Sequence, residues 1–299
     1  MSKRSDIKDG ISSSGEKSGI IYTRVLGWVD LGHAGGEDCR RLKAILFEEK
    51  NRKFFPEFNE WYFPVDYFQD FALNFKINNI TRQTAVGINT PLMVRSCLSW
   101  EVKKRIALTI MMKTAYRLEA LEQSHAFSWY TDSGFSGEDL VSDLVGFYRI
   151  FGNGVDPVVL AYPTTKEYAL RIWDCYGPIG SYKNKEFRPL LFPQPSPLRK
   201  FLPRKGYLPS WLNYIKPLTD LSDNYIYNRI NDRPFETLFE SRDRMNHELY
   251  FSPRNKGWDY TDGLKNNRKP PMIDLWPHTP VVPDYFQMRD WKTKHAVFN

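Results

Sequence analysis

Residues 20–39 read Ile20-Ile21-Tyr22-Thr23-Arg24-Val25-Leu26-Gly27-Trp28-Val29-Asp30-Leu31-Gly32-His33-Ala34-Gly35-Gly36-Glu37-Asp38-Cys39, and the change of character along this stretch decides the fold class. Ile20 to Leu26 is rich in β-branched and aromatic residues and reads as a strand. Gly27 interrupts it, and Trp28 to Leu31 continues it. Gly32 to Gly36 breaks the strand with an abrupt turn. Glu37 and Asp38 suit the positive end of a helix. Leu42, Ile45 and Leu46 then mark one face of a helix over residues 39–50.

Working outward, residues 66–77 alternate loosely and read as a strand. Asn78-Asn79 suits a tight turn and residues 80–88 the return strand, giving a β-hairpin. Ser99 to Gln123 carries the strongest helical pattern. Ser99 can cap it, Glu101 lies in its first turn, and Val102, Ile106, Ile110, Ala115, Leu118 and Leu121 form a buried stripe. Leu108, Met111 and Met112 widen that stripe, as a central helix would require. A capping box at Ser136–Asp139 opens another helix, with the Ser136 hydroxyl expected to accept from the Asp139 amide. A further box, Thr164 to Glu167, opens a helix ending near Gly177. Together these elements predict an α+β fold, a small antiparallel sheet packed on a central helix.

The remainder differs. Residues 181–299 hold 14 of the 20 prolines and four of the nine tryptophans. Proline fits neither helix interiors nor central strands, so this part reads as a Pro-rich, extended C-terminal arm. Phe192, Phe201, Leu202 and Trp211 are expected to pack it on the domain, and residues 235–249 form its one predicted helix. The predicted organisation is a flexible segment 1–18, a main domain 19–180 and the arm 181–299. All of the net charge of +7 comes from the arm, because residues 1–180 carry 22 basic and 22 acidic side chains. Such a surface can face nucleic acid, an anionic membrane surface or an anionic polymer, although the charges are interspersed as on an ordinary solvated face.

Several classes are disfavoured. Hydrophobic residues make up 41% of the chain, which argues against global disorder. No run of apolar residues is long enough for a transmembrane segment. The polar start lacks the apolar stretch of a signal peptide, so the expectation is a chain made in the cytoplasm; a dedicated delivery machine stays open. Cys39, Cys97 and Cys175 are too sparse for a disulfide framework or a Cys-based zinc site. There is no phosphate-binding loop, dinucleotide fingerprint or His-Glu-x-x-His, and no nucleic-acid partner is expected.

Four constellations could carry chemistry. Asp30-Leu31-Gly32-His33 with Asp38 places an imidazole between a strand and a helix start, where a proton-transfer group or a backbone-bonded turn histidine would serve. As a turn residue between glycines, His33 should cost less than ~1 kcal/mol of stability when removed. Glu119 and Glu122 lie one helical turn apart; enclosed, they would have raised pKa values as a general acid needs, while in solvent they would pair with Arg117 and Lys113. Ser136, Glu138 and Asp139, with Ser142 and Asp143 one turn later, could gather around a substrate hydroxyl or a divalent metal ion, or simply cap a helix. Cys39, near a helix start, could be a nucleophile or a buried thiol. Its surroundings, Gly35 to Cys39 before a basic helix, resemble the nucleophile segment of papain-like cell-wall peptidases of the NlpC type. Arg40 and Arg41 depart from that pattern, and the next histidine is His125.

Gly27-Trp28-Val29-Asp30-Leu31-Gly32-His33, the helix end at Leu118-Glu119, and Ser133-Gly134-Phe135-Ser136-Gly137-Glu138-Asp139-Leu140-Val141-Ser142 with Gly146 together resemble a bacterial envelope-associated family of unknown function. The resemblance spans about residues 20–160. It implies that His33, Glu119 and Glu138 converge, and that the protein works at a bacterial envelope. The resulting expectation is a hydrolase with His33, Glu119, Glu138 and Asp139 as catalytic residues and Asp30, Asp38, Ser136 and Ser142 binding substrate. Its substrate would be peptidoglycan, met as an antibacterial toxin delivered to a target-cell periplasm, with a secretion-system component and an immunity protein as partners. A papain-like peptidase or amidase using Cys39 and a non-enzymatic partner-binding module are the alternatives.

Overall fold

Thr23 ends the first strand. Its hydroxyl accepts from the Leu26 amide and donates to the Gly27 carbonyl, both at 3.0 Å, and closes a tight turn. The stretch expected to be one interrupted strand is therefore a hairpin, with Ile20 opposite Asp30 and Thr23 opposite Gly27. Gly27 permits this reversal because its φ is +72°, a left-handed value that disfavours side chains.

The computed structural model describes residues 2–13, 15–77, 80–123, 134–196, 201–218, 224–237 and 248–253. In chain order the elements are β1 (Ile20–Thr23), β2 (Gly27–Asp30), α1 (Glu37–Glu48), β3 (Lys53–Phe55), β4 (Glu60–Ile77), β5 (Ile80–Arg95), α2 (Trp100–Glu122), α3 (Asp139–Phe151), α4 (Pro157–Leu160), α5 (Lys166–Tyr176), β6 (Leu190–Leu191), β7 (Arg204–Lys205), β8 (Ile226–Ile230), β9 (Arg233–Thr237) and β10 (Glu248–Pro253). They form an α+β mixture, as expected, divided between two compact units. The first comprises residues up to Ala44 and from Trp100 to the 201–218 stretch. The second comprises residues 45–99 and the described residues from 224 onward.

The first unit holds a four-stranded sheet in the order β1-β2-β6-β7. Only the β2–β6 pair is parallel. Ile20, Tyr22 and Trp28 pack on Ala169, Ile172 and Trp173 of α5, together with Ile7 and Phe192. Trp28 and Trp173 meet edge to face at 5.8 Å. Truncating Trp28, which is 2% exposed, should cost about 3–5 kcal/mol. The sheet thus rests on α5 and, through β2, on α3, while α2 lies against α3. Every residue of α2 from Ile106 to Ala115 is buried, which explains why its apolar pattern runs beyond one stripe.

The N-terminal segment and the Pro-rich region are both held by specific contacts. Ile7 is buried, and the Lys8 amide donates to the Ile20 carbonyl at 2.9 Å. The Pro-rich region supplies β6 and β7. Phe192 is buried there, but Phe201 and Leu202 are exposed, and Leu212, Ile215 and Leu218 take the packing role expected of them. Tyr148 of α3 anchors this stretch by exchanging two hydrogen bonds with the Ile215 backbone, at 3.0 and 3.1 Å.

The second unit is built on the β4–β5 hairpin, whose register runs from Tyr62 opposite Arg95 to Ile77 opposite Ile80. The hairpin is longer than predicted, and Asn78-Asn79 lies outside the described residues. β3 pairs with β4, while β8 and β10 both pair with β5. Phe55, Tyr62, Met93 and Tyr227 form its aromatic cluster. Of the helix expected over residues 235–249, residues 235–237 belong instead to β9 and 248–249 to β10, and 238–247 lie outside the described residues. Ladder partners distant in sequence, such as Asn89 for Glu248, override the local pattern.

Candidate functional site

The site lies in the first unit and begins with Asp30 at the end of β2. Its Oδ1 accepts from the Gly32 amide at 2.7 Å and the His33 amide at 3.1 Å, an Asx-type turn that reverses the chain. A 3-10 turn over His33–Gly35 follows, and Gly36 leaves it with φ +64°. A Cβ at Gly36 would stand 2.4 Å from the Gly146 carbonyl oxygen, and one at Gly146 would stand 2.5 Å from the His33 carbonyl oxygen. Two bare glycines thus let the turn sit directly on α3. Arg149 secures it, donating to the Ala34 carbonyl at 2.9 Å while its other nitrogens hold Asp156.

This seating brings His33 Nδ1 to 3.0 Å from Asp143 Oδ1. An ionised Asp143 accepts here, which puts a proton on Nδ1, and Nε2 has no protein partner among the described residues. Burial opposes the charged imidazolium, but Asp143, Asp30 and Asp139 outweigh it and hold the pKa of His33 well above the ordinary histidine range. The ring keeps 35% of its side-chain surface open, so the opposing burial effect is weaker than for an enclosed ring. Asp143, only 7% exposed, is pushed upward by burial, against the pull of His33.

Glu119 arrives from the last turn of α2 and is 1% exposed. Its Oε2 accepts from the Phe135 amide at 2.6 Å, tying α2 to the loop before α3. Burial and the neighbouring Glu122 push its pKa up to about 8, despite opposition from His33 and the Phe135 bond. Glu138, 2% exposed, precedes α3 directly. Its Oε2 takes the Ser136 hydroxyl and its Oε1 the Ser2 hydroxyl, the latter at 3.3 Å. Burial raises its pKa above the usual carboxylate range. Asp139, half-buried, is raised by burial and then by Glu119 and Glu138. His33 acts electrostatically on Glu119, Glu138, Asp139 and Asp143, so the catalytic residues expected from the sequence share one neighbourhood.

The expected substrate-binding residues fare differently. Asp30 holds the His33 turn. Asp38, half-buried in the first turn of α1, raises the pKa of Asp143. Ser142 is fully buried; its hydroxyl accepts from the Asp30 amide at 2.9 Å and donates to the Glu138 carbonyl at 2.7 Å, so it is a strut between β2 and α3. Ser136 does not cap as expected. The Asp139 amide goes to the Ser136 carbonyl at 3.3 Å, and the hydroxyl turns to the stronger acceptor, the Glu138 carboxylate. Likewise Thr165, not Thr164, caps α5. Cys39 is 1% exposed inside α1, a poor position for a nucleophile, and His125 lies outside the described residues.

No family model, curated protein or solved structure matches the chain.

What the site can do follows from its own groups. Among the described residues no set of three or more His, Cys, Asp or Glu side chains is arranged to hold a metal ion, so the acidic pairs do not form the convergent cage suggested by their spacing. They form a cluster of buried, mutually interacting titratable groups instead. Near neutral pH the shifts favour a cationic His33 beside Asp143 and a neutral Glu119. Asp143, expected only as a member of the acidic group on this helix, is the partner of His33. Its i+4 spacing from Asp139 was the available signal, since it puts both carboxyls on one face of α3. Arg149 had no comparable signal.

Proposed function

We propose that this neighbourhood is the acid–base site of a hydrolase. The observation that carries the reading is the 3.0 Å contact between His33 Nδ1 and Asp143 Oδ1, which orients the ring and leaves Nε2 for another proton partner. Glu119, neutral up to about pH 8, would donate a proton to a leaving group. Glu138 or Asp139, when ionised, would orient or deprotonate the attacking water. A neutral carboxylic acid beside a carboxylate is the set used to cleave glycosidic bonds. The proposed substrate is accordingly the glycan of peptidoglycan, an anionic polymer suited to a chain of net charge +7.

The resemblance to envelope-associated proteins supports the same reading, as an antibacterial toxin delivered to a target-cell periplasm and accompanied by a secretion-system component and an immunity protein. No helix among the described residues is long and apolar enough to cross a membrane. The test is incubation of the purified chain with peptidoglycan sacculi and mass spectrometry of released fragments. Wild type should release fragments, and His33→Ala and Glu119→Gln should not. Equal release from all three proteins, or none from wild type, would overturn the reading.

A further inference from the structure

The second oxygen of Glu138 is covered by a residue 136 positions away. Ser2 Oγ donates to Glu138 Oε1 at 3.3 Å, reaching the carboxylate from outside the loop that carries it. Residues 2–6 are arranged to deliver this contact. Ile7 is fully buried and bridges to Ile20, fixing one end. A short turn follows toward Ser2, in which the Lys3 amide donates to Asp6 Oδ2 at 2.7 Å and the Asp6 amide to the Lys3 carbonyl at 2.9 Å. Halfway along, Arg4 grips Asp174 of α5 with two bonds of 2.7 and 2.9 Å. Lys3, Arg4 and Ser5 are exposed, so nothing apolar holds this segment beyond Ile7.

We infer that residues 2–6 form a strap that closes the Glu138 side of the site and must lift for a ligand to reach it. The tie is an exposed ion pair, with side chains 56% and 54% open, and such pairs are weak and screened by salt. The object covered is a buried carboxylate whose other oxygen is already engaged by Ser136. Ser2 presents a hydroxyl to it, so the incoming ligand is of a class that can replace that donor, a polyhydroxylated chain such as a glycan. That last step rests on the hydrolase reading; the closure itself does not.

The test is carbodiimide labelling of carboxyl groups in the full chain, with the extent at Glu138 read by tandem mass spectrometry. Arg4→Ala and Asp174→Ala should each speed Glu138 labelling by roughly threefold or more, as expected when a locally closed segment opens. The swapped pair Arg4→Asp with Asp174→Arg should restore the slow rate. Added potassium chloride should accelerate labelling of wild type but not of Arg4→Ala. Labelling that is unchanged by either substitution and by salt overturns the strap, whatever the protein does to peptidoglycan. Faster labelling in proteins that cleave no peptidoglycan leaves the strap standing and removes the hydrolase reading.

Discussion

His33 and Asp143, 110 positions apart, meet through Nδ1 and Oδ1 at 3.0 Å, with the imidazole on a glycine-bounded turn and the carboxylate on the second turn of α3. The turn supplies reach and the helix supplies rigidity. Asp143→Asn keeps the shape and an acceptor oxygen but removes the charge. The pKa of His33 should therefore fall toward ~6.5, and the proposed hydrolysis should drop about a hundredfold. An NMR titration of the imidazole checks the first outcome, and an unchanged pKa would show that Asp143 is not its main electrostatic partner.

His33→Ala should be more damaging to stability than a turn position suggests. Asp143, 7% exposed with the ring in place, would lose its hydrogen-bond partner. An orphaned buried polar group costs about 1–3 kcal/mol. In a double-mutant cycle, His33→Ala combined with Asp143→Ala should lose less than the two single losses added together. Strict additivity in denaturant melts would mean that the pair is not coupled.

The pH dependence of stability has a definite sign. His33, Glu119, Glu138, Asp139 and Asp143 are all shifted upward, so each binds its proton more tightly in the folded chain. Their stabilisation is fully present below the unfolded values, roughly 4 for the carboxyls and 6.5 for the imidazole. It is lost as pH rises through the folded values, about 8 in the case of Glu119. The thermal midpoint should therefore decline between about pH 5 and 8. Glu119→Gln, always neutral, should flatten that decline. A midpoint that climbs across this window would contradict the shifts.

Gly146→Ala tests the seating of the turn. A methyl group 2.5 Å from the His33 carbonyl oxygen forces the turn off α3. Overpacking of this kind costs about 1–3 kcal/mol. The pKa of His33 should also fall, because Asp143 recedes. Normal stability together with a normal imidazole titration would show that the close approach is dispensable.

Ser136→Ala should act through Glu138. Without the hydroxyl, the buried carboxylate loses a donor that favours its charged form, so its pKa should rise further. Loss of this buried hydrogen bond should cost about 1–3 kcal/mol, read by urea unfolding. Unchanged stability together with an unchanged Glu138 titration would show that the hydroxyl does not act on the carboxylate.

Local chemistry alone made much of this legible. Glu37 and Asp38 before an apolar stripe announced α1, the alternation after Asp66 announced the long hairpin, and Gly32 to Gly36 marked the turn that carries His33. These signals survive in a linear reading because each depends on neighbours a few residues away. The sequence also pointed to Glu119, on a helix whose wide apolar surface predicts enclosure, and to Glu138 and Asp139 as an acidic pair at a helix start.

Tertiary structure decided the rest. Ile20 to Leu31 became a hairpin because the Thr23 hydroxyl could close a turn at Gly27, and the Pro-rich region entered both sheets because its partners, Gly27 for Leu190 and Asn89 for Glu248, lie far away in sequence. Ser136 and Ser142 looked like ligands or caps, and only packing showed what their hydroxyls accept and donate. Asp143 became the partner of His33 through the contact of Gly36 with Gly146, a steric fit that no spacing encodes. The types of group at the site are local facts; their pKa values and pairings are properties of burial and distance, which exist only once the chain has folded.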